Sequence, residues 1–279
     1  MRRIAFLCLT VAALVASSQP SWAWGGRGHR IVAAIAMQLI PKKAAKLDIV
    51  LRQLEIDNNF IDAASYPDEY VRSHDREHAM SPWHFADLPD DNTPFVCNNC
   101  LFDALGKNLD IVSQNRGDKE NAQAISWVIH LVGDMHQPLH MDGRLRGGND
   151  FPVTYRGKKT CKSYSGRPTK VELHSVWDDC LVEELSAGRS PQQMAKALLG
   201  KIRSHKGRPE VAGTDPKPWL EWSGEIHDLA VKVAFADLQA GTDLGAPYIE
   251  GKGHAIDIVR QQLLTAGIRL AFLLDRATK

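Results

Sequence analysis

The sequence predicts one all-α domain behind a removable leader, and three observations carry that expectation. Apolar residues recur at helical spacing in six separate segments, the pattern of helices that each bury one face. No internal repeat, low-complexity linker or block of like charge marks a second domain. Only residues 150–173, with "DFPVTYRGKKT" and "TKVELH", alternate in a way that suits strands, enough for a small hairpin over a helical body.

The leader comes first. Met1-Arg2-Arg3 precedes the apolar run Ile4–Ala16, and Ser21-Trp22-Ala23 places small residues around a cleavage site after Ala23. This is the pattern of a secretory signal peptide over 1–23. The apolar run is too short to cross a ~30 Å hydrocarbon core, which needs about 20 residues. An exported protein, periplasmic or extracellular, is therefore expected, with no membrane partner. The remaining chain, 24–279, is long enough for one large core. Losing Arg2 and Arg3 leaves 32 basic against 33 acidic side chains, a formal net charge of −1. That balance excludes a polybasic nucleic-acid clamp: a phosphate-handling site here needs its positive charge from bound metal.

Cys97, Cys100, Cys161 and Cys180 remain after cleavage, and an even number in an exported chain suggests two disulfides out of three connectivities. Spacing favours Cys97–Cys100 closing a tight loop and Cys161–Cys180 a longer one. A four-thiolate zinc site is the rival, but only the first pair has knuckle spacing.

The helices follow in order. His29–Leu39 puts Ile31, Ala34, Ile35 and Leu39 on one face, and Pro41-Lys42-Lys43 restarts the chain into Ala44–Leu54. Ala122–Val132 is apolar-striped and stops near Pro138, which cannot continue a helix. Ser190-Pro191 is a good cap and first turn for Gln192–Ile202. Trp219–Phe235 and Ile256–Leu274 close the chain as long helices with a buried stripe. Long loops are expected around 87–118, 141–170 and 206–218, and loops of that length usually carry function.

The chemistry concentrates in "HLVGDMHQPLH", residues 130–140. His130 and Asp134 are four apart and share one helix face, as two ligands of one ion must. His140, beyond Pro138, points from a different direction and suits a second site. "LHSVWDD" repeats the four-residue spacing with His174 and Asp178. Asp68 in "SYPDEY" and His84 in "SPWHFADLPDD" sit beside aromatic–proline pairs, in contexts that read as helix starts. His29 lies five residues after Trp24. Singly, each is ordinarily a capping or surface residue. Together, without free thiols, they suit zinc in an oxidising compartment. There is no HExxH helix, the arrangement of many zinc proteases.

The combination Trp24-Gly-x-x-Gly-His29, Asp68, "WHF" with His84, "HxxGDxxQPLH" and "LHSVWD" resembles the trinuclear-zinc, single-strand-specific nucleases of the S-one/P-one type, relatives of zinc-dependent phospholipase C. The motifs run in order from Trp24 to Asp178. The resemblance implies a single all-α domain over 24–279 and three Zn2+ ions. Asp68, His84, His130 and Asp134 hold one ion. Asp134 bridges to a second, completed by His29 and by the α-amino nitrogen and carbonyl oxygen of Trp24. His140, His174 and Asp178 hold the third. Asp68 and Asp134 are the carboxylates assigned to catalysis. The implied activity is hydrolysis of single-stranded DNA or RNA to 5′-phosphate products, with removal of 3′-phosphates from nucleotides, by a monomer.

This reading gives Trp24 a reason to follow the cleavage site. A peptide nitrogen is a poor zinc ligand, whereas a free terminal amine, with a pKa of about 7.7–8.0, can give up its proton to the metal. Gly25 and Gly26 let the chain turn tightly enough for Trp24 and His29 to reach one ion. Phe85 and Asp87 match the family's nucleobase pocket, and Asn149 in "GGND" its neighbouring contact. One position departs: the basic residue expected three after Asp68 is Val71, and Arg72 stands one step, about 100° of helix rotation, further on. His136 is expected not to ligate, and His74, His78, His205, His227 and His254 to lie on the surface. Two alternatives differ in class. A phospholipase C has a longer gap before its first histidine and a glutamate in place of Asp178. A non-catalytic zinc-binding protein has saturated sites with no place for water.

Overall fold

The computed structural model describes residues 24–57, 59–90, 95–204 and 219–278. The predicted leader (1–23), the 206–218 loop and His205 lie outside the described residues. The chain runs through α1 (Gly26–Leu39), α2 (Pro41–Leu51), α3 (Asn59–Asp62), α4 (Tyr66–His74), α5 (Leu101–Ser113) and α6 (Lys119–Met135). It continues through β1 (Thr154–Tyr155), β2 (Thr160–Lys162), β3 (Pro168–Lys170), α7 (Leu173–Ser175), α8 (Leu181–Ser186), α9 (Pro191–Ser204) and α10 (Trp219–Leu229). Then follow β4 (Asp243–Leu244), α11 (Ala246–Ile249) and α12 (Ala255–Ala277). The fold is all-α, and no described helix is long and apolar enough to cross a membrane.

Helices α1 and α6 form the centre, packed on each other and on α12, with α9 against α1 and α5 against α6. The sequence explains why α1 can be buried on nearly all sides: Ile31 to Ala36 are fully buried, and three of them are alanines that let neighbouring backbones approach. Gly267 makes the tightest crossing, since a Cβ there would lie 2.4 Å from Ile35 Cβ. Pro41 excludes helical geometry at the residue before it. Ile40 accordingly leaves the helix at φ −125°, ψ 53°, and Pro41 opens α2. Asp118 caps α6 by accepting from the Asn121 amide at 2.8 Å, which starts that helix three residues ahead of the predicted Ala122.

Two expectations need correction. The 87–118 stretch is not a continuous loop but contains α5, whose Leu101, Phe102, Leu105 and Val112 are buried. Gly106 and the polar residues between them weaken the local helical signal, and packing on α6 overrides it. His174 and Asp178 do not share a regular helix either: α7 is one short turn and Val176–Cys180 forms a π-turn. The predicted hairpin is present as β2 and β3, antiparallel with Cys161 opposite Thr169, while β1 and β4 pair in parallel. Cys97–Cys100 and Cys161–Cys180 are both disulfides, which leaves no thiolate for zinc among the described residues.

Candidate metal centre

Buried histidines and aspartates from six chain segments converge on one end of the α1–α6 pair. His130 and Asp134 lie on α6, both fully buried. His29 reaches Asp134 from α1, its Nε2 3.2 Å from Oδ1. Gly133 makes this possible, because a Cβ there would sit 2.6 Å from His29 Nδ1. Asp68 comes from the first turn of α4, and His84 from a 3-10 turn over Ser81–His84. His130 Nε2 stands 3.2 Å from Asp68 Oδ1 and 3.2 Å from Asp134 Oδ2. His84 Nδ1 is 2.9 Å from Asp134 Oδ2 and 3.0 Å from His130 Nε2. Four ligands about 2.0 Å from a tetrahedral ion lie about 3.3 Å from one another, so these spacings are those of a coordination shell. The two oxygens of Asp134 face different partners, Oδ1 towards His29 and Oδ2 towards His84 and His130.

A second group forms where the 3-10 turn Pro138–Met141 meets the π-turn. His140 Nε2 and His174 Nε2 are 3.1 Å apart, and His174 Nε2 is 3.2 Å from Asp178 Oδ2. The wide π-turn keeps Asp178 within reach of His174 although neither lies in a long helix, and such turns occur often at functional sites.

Hydrogen bonds on the far ring nitrogens aim these imidazoles. Nδ1 of His130 donates to the Ala64 carbonyl at 2.8 Å, that of His140 to the His84 carbonyl at 2.5 Å and that of His174 to the Gly147 carbonyl at 2.6 Å. In a neutral ring each then presents a bare Nε2 lone pair to a neighbouring carboxylate or imidazole, which is repulsive unless a proton or a cation lies between. Asp68 Oδ1 and Asp134 Oδ1 are buried and make no hydrogen bond. The donor set therefore fits divalent cations held by nitrogen and oxygen. Electrostatics agree. Burial disfavours a proton on His130, but Asp134 and Asp68 outweigh it and hold its pKa well above the usual histidine value. Burial also disfavours the charged carboxylate of Asp134, and His130, His29 and His84 overturn that and hold it well below the usual range. Burial and then His174 push His140 down to about 4, leaving it neutral at physiological pH.

A pocket of about 440 Å3 opens over both groups, lined by His84, His140 and His174 and by Phe85, Asp87 and Asn149. Phe85 presents its ring at 40% exposure. Desolvation and then the Asp142 charge push the Asp87 carboxyl up. Asn149 Nδ2 donates to the Arg146 carbonyl at 2.7 Å, beside His174 Nδ1 at 3.1 Å. Val71 lines the pocket and Arg72, which is exposed, does not. A larger groove of about 850 Å3 between α5 and the ends of α10 and α12 touches none of the metal-type histidines.

Several residues here have roles that local spacing in the sequence does not encode. Gln137 donates to Asp178 Oδ1 at 2.7 Å and orients it. Arg146 and His78 line the pocket. Leu145, Arg146, Gly147 and Gly148 all adopt positive φ, at 46°, 54°, 62° and 81°, in a left-handed turn that puts the Gly147 carbonyl on His174. His136 is buried and turned away, donating to Val132 and accepting from Arg269 at 3.1 Å. His74, His78 and His254 are exposed, as expected. His227 is not: it is buried, donates to the Met141 carbonyl at 2.8 Å and stands 3.1 Å from Asp90 Oδ1. Its partners lie far away in the chain, so its own helix shows no telling spacing.

A family profile described as S1/P1 Nuclease matches residues 24–279. Among curated proteins, the chain is similar to Nuclease S1 of Aspergillus oryzae, 26% identical over 95% of both chains. It is also 26% identical to Nuclease P1 of Penicillium citrinum over 89% of this chain and 95% of that one. Endonuclease 3 of Arabidopsis thaliana is 28% identical, over 91% and 88% respectively.

Proposed function

Because the chain belongs to the S1/P1 nuclease family, and is on that footing a hydrolytic enzyme acting on nucleic acids, we propose that it is an exported zinc-dependent endonuclease. Its substrates are single-stranded DNA and RNA, cut to 5′-phosphate products, and it also removes 3′-phosphates from nucleotides. The observation that carries this reading is the convergence of eight buried histidines and aspartates at coordination-shell spacing beside a pocket with an exposed aromatic ring. In it, Asp68, His84, His130 and Asp134 hold one Zn2+. Asp134, His29 and the freed Trp24 terminus hold a second, and His140, His174 and Asp178 a third. Zinc in such a setting lowers the pKa of water towards neutrality and offsets charge on phosphoryl oxygens.

The chain's own residues do the rest. Phe85 offers a stacking face for an unpaired base, a contact worth roughly 1–3 kcal/mol and tolerant of base identity. Asp87 and Asn149 offer polar partners for the base edge. Gln137 holds Asp178, and the Ala64, His84 and Gly147 carbonyls hold the three imidazoles with their Nε2 atoms inward. A recessed pocket of this size admits a flexible, unstacked strand more readily than a stacked duplex, which supports the single-strand preference.

The test is hydrolysis by zinc-loaded protein beginning at Trp24, on single-stranded DNA with phosphatidylcholine run in parallel. The expected result is cleavage to 5′-phosphate ends and no released phosphocholine. Inert DNA with phosphocholine release would instead assign the pocket to a phospholipase C. A second preparation carrying one extra alanine ahead of Trp24 tests the terminal ligand, and is expected to bind less zinc.

A further inference from the structure

Seating a chain terminus on an ion needs more than the terminus. The first turn of α1 is gripped by three separate segments. Arg27 Nε pairs with Glu183 on α8 at 2.6 Å, and its Nη1 donates to the Arg189 carbonyl at 2.6 Å. Arg30 Nε pairs with Asp62 at the end of α3 at 2.5 Å, and its Nη1 donates back to the Gly26 carbonyl at 3.0 Å. Both guanidiniums then stack on one ring, Tyr164 between β2 and β3, at 4.8 and 5.0 Å from its centroid. Cation–π contacts of this kind hold position without needing the hydroxyl. The hairpin is itself anchored, since Cys161 is bonded to Cys180 at the end of the π-turn that carries Asp178. From that turn Asp179 accepts from Thr169 Oγ1 at 2.9 Å. Its other oxygen would lie 2.1 Å from a Cβ at Gly25, so only glycine lets the chain pass beside it.

We propose that the β2–β3 hairpin, tied by Cys161–Cys180 to the Asp178 turn and stacked through Tyr164 on Arg27 and Arg30, is a positioning clamp that seats the Trp24–Gly25 end of the chain at the His29–Asp134 metal group. This rests on the reading of Trp24 as a terminal ligand. The clamp touches no substrate and acts through the geometry of the α1 turn. It also couples that turn to the segment bearing Asp178, so the hairpin holds two metal groups in register. Groups that orient ligands from behind typically govern metal affinity by about 10- to 100-fold.

The experiment compares zinc retention in proteins beginning at Trp24: wild type, Tyr164→Ala, Tyr164→Phe and the double variant Cys161→Ser/Cys180→Ser. Each is equilibrated against buffered free zinc and its bound zinc per chain counted by mass spectrometry, with kcat and KM on a single-stranded oligonucleotide measured alongside. Tyr164→Ala and the double variant are expected to need about 10- to 100-fold more free zinc to fill the weakest site. Their kcat falls at limiting zinc and KM is unchanged. Tyr164→Phe, which keeps the ring face, is expected to behave as wild type. Tyr164 is a surface residue, so its alanine variant remains informative should the double variant not fold. Equal zinc retention by wild type and Tyr164→Ala overturns the clamp, as does a loss in Tyr164→Phe equal to that in Tyr164→Ala. If wild type itself retains no zinc, it is the metal-centre reading that falls, and the clamp with it.

Discussion

At the scale of single residues, Asp134 is the side chain on which most depends. Its oxygens face two sets of histidines, 3.2 Å from His29 on one side and 2.9 Å from His84 on the other. Asp134→Ala is expected to lose metal from both members of the close pair and to reduce hydrolysis more than the 10- to 100-fold typical of an orienting residue such as Gln137. Metal content after dialysis, read beside the rate, checks it, and full occupancy would rule out the two-sided role. His136 allows a different test. Burial and then the Arg269 charge push its pKa down to about 3, whereas in the unfolded chain it returns to about 6.5. Between those values the unfolded chain binds the extra proton, so stability falls as pH drops from about 6.5 towards 3, by up to about 1.4 kcal/mol per pH unit. Asp179, pushed up to about 7 by burial and then Asp178, has the opposite sign between the ordinary carboxyl value of 3.8 and about 7. The readout is therefore the difference between the zinc-free parent and His136→Gln in urea titrations at pH 6.5 and 4.5. The parent is expected to lose stability more steeply on acidification, and parallel losses would contradict a neutral, buried His136.

At the scale of elements, the α1–α12 crossing decides whether His29 reaches its partners. Gly267→Ala places a methyl 2.4 Å from Ile35 Cβ, and overpacking of this kind typically costs about 1–3 kcal/mol. A lowered urea midpoint with unchanged slope is expected, and no change in midpoint would mean that the helices part freely. Legibility divides along the same lines. His130 with Asp134, and His174 with Asp178, could be read because each pair is written four residues apart, whatever turn finally carries it. Helices α1, α6 and α12 could be read because their apolar faces are continuous. By contrast α5, whose apolar pattern is interrupted by Gly106, owes its stability to packing on α6, the next helix in the chain. Gln137, Gly147 and His227 take their roles from partners dozens of residues away, across folds of the chain that local spacing does not encode. The left-handed turn at 145–148 is legible only at Gly147 and Gly148, since Leu145 and Arg146 adopt a conformation that non-glycine residues usually avoid.

At the scale of the whole molecule, the candidate metal centre is also part of the core. Asp68, Asp134 and Asp178 are buried among histidines, and their Nε2 and carboxylate lone pairs need a proton or a cation between them. An ion present at about 1,000 times its dissociation constant adds about 4 kcal/mol per site. For a chain of this size that corresponds to roughly ten degrees in Tm. Chelation is expected to lower the melting temperature at least that far, and added zinc to restore it, as calorimetry would show; an unchanged transition would separate the fold from its ions. The backbone of His84 bears on how those ions arrive. Its ring belongs to one metal group, while its carbonyl, 2.5 Å from His140 Nδ1, aims a histidine of the other. An ion that fixes the His84 ring thereby pre-orients His140 for the next, so occupancy at one site raises affinity at its neighbour, and by linkage the reverse holds. Zinc uptake should then be sigmoidal, with partly filled molecules scarce at intermediate loading.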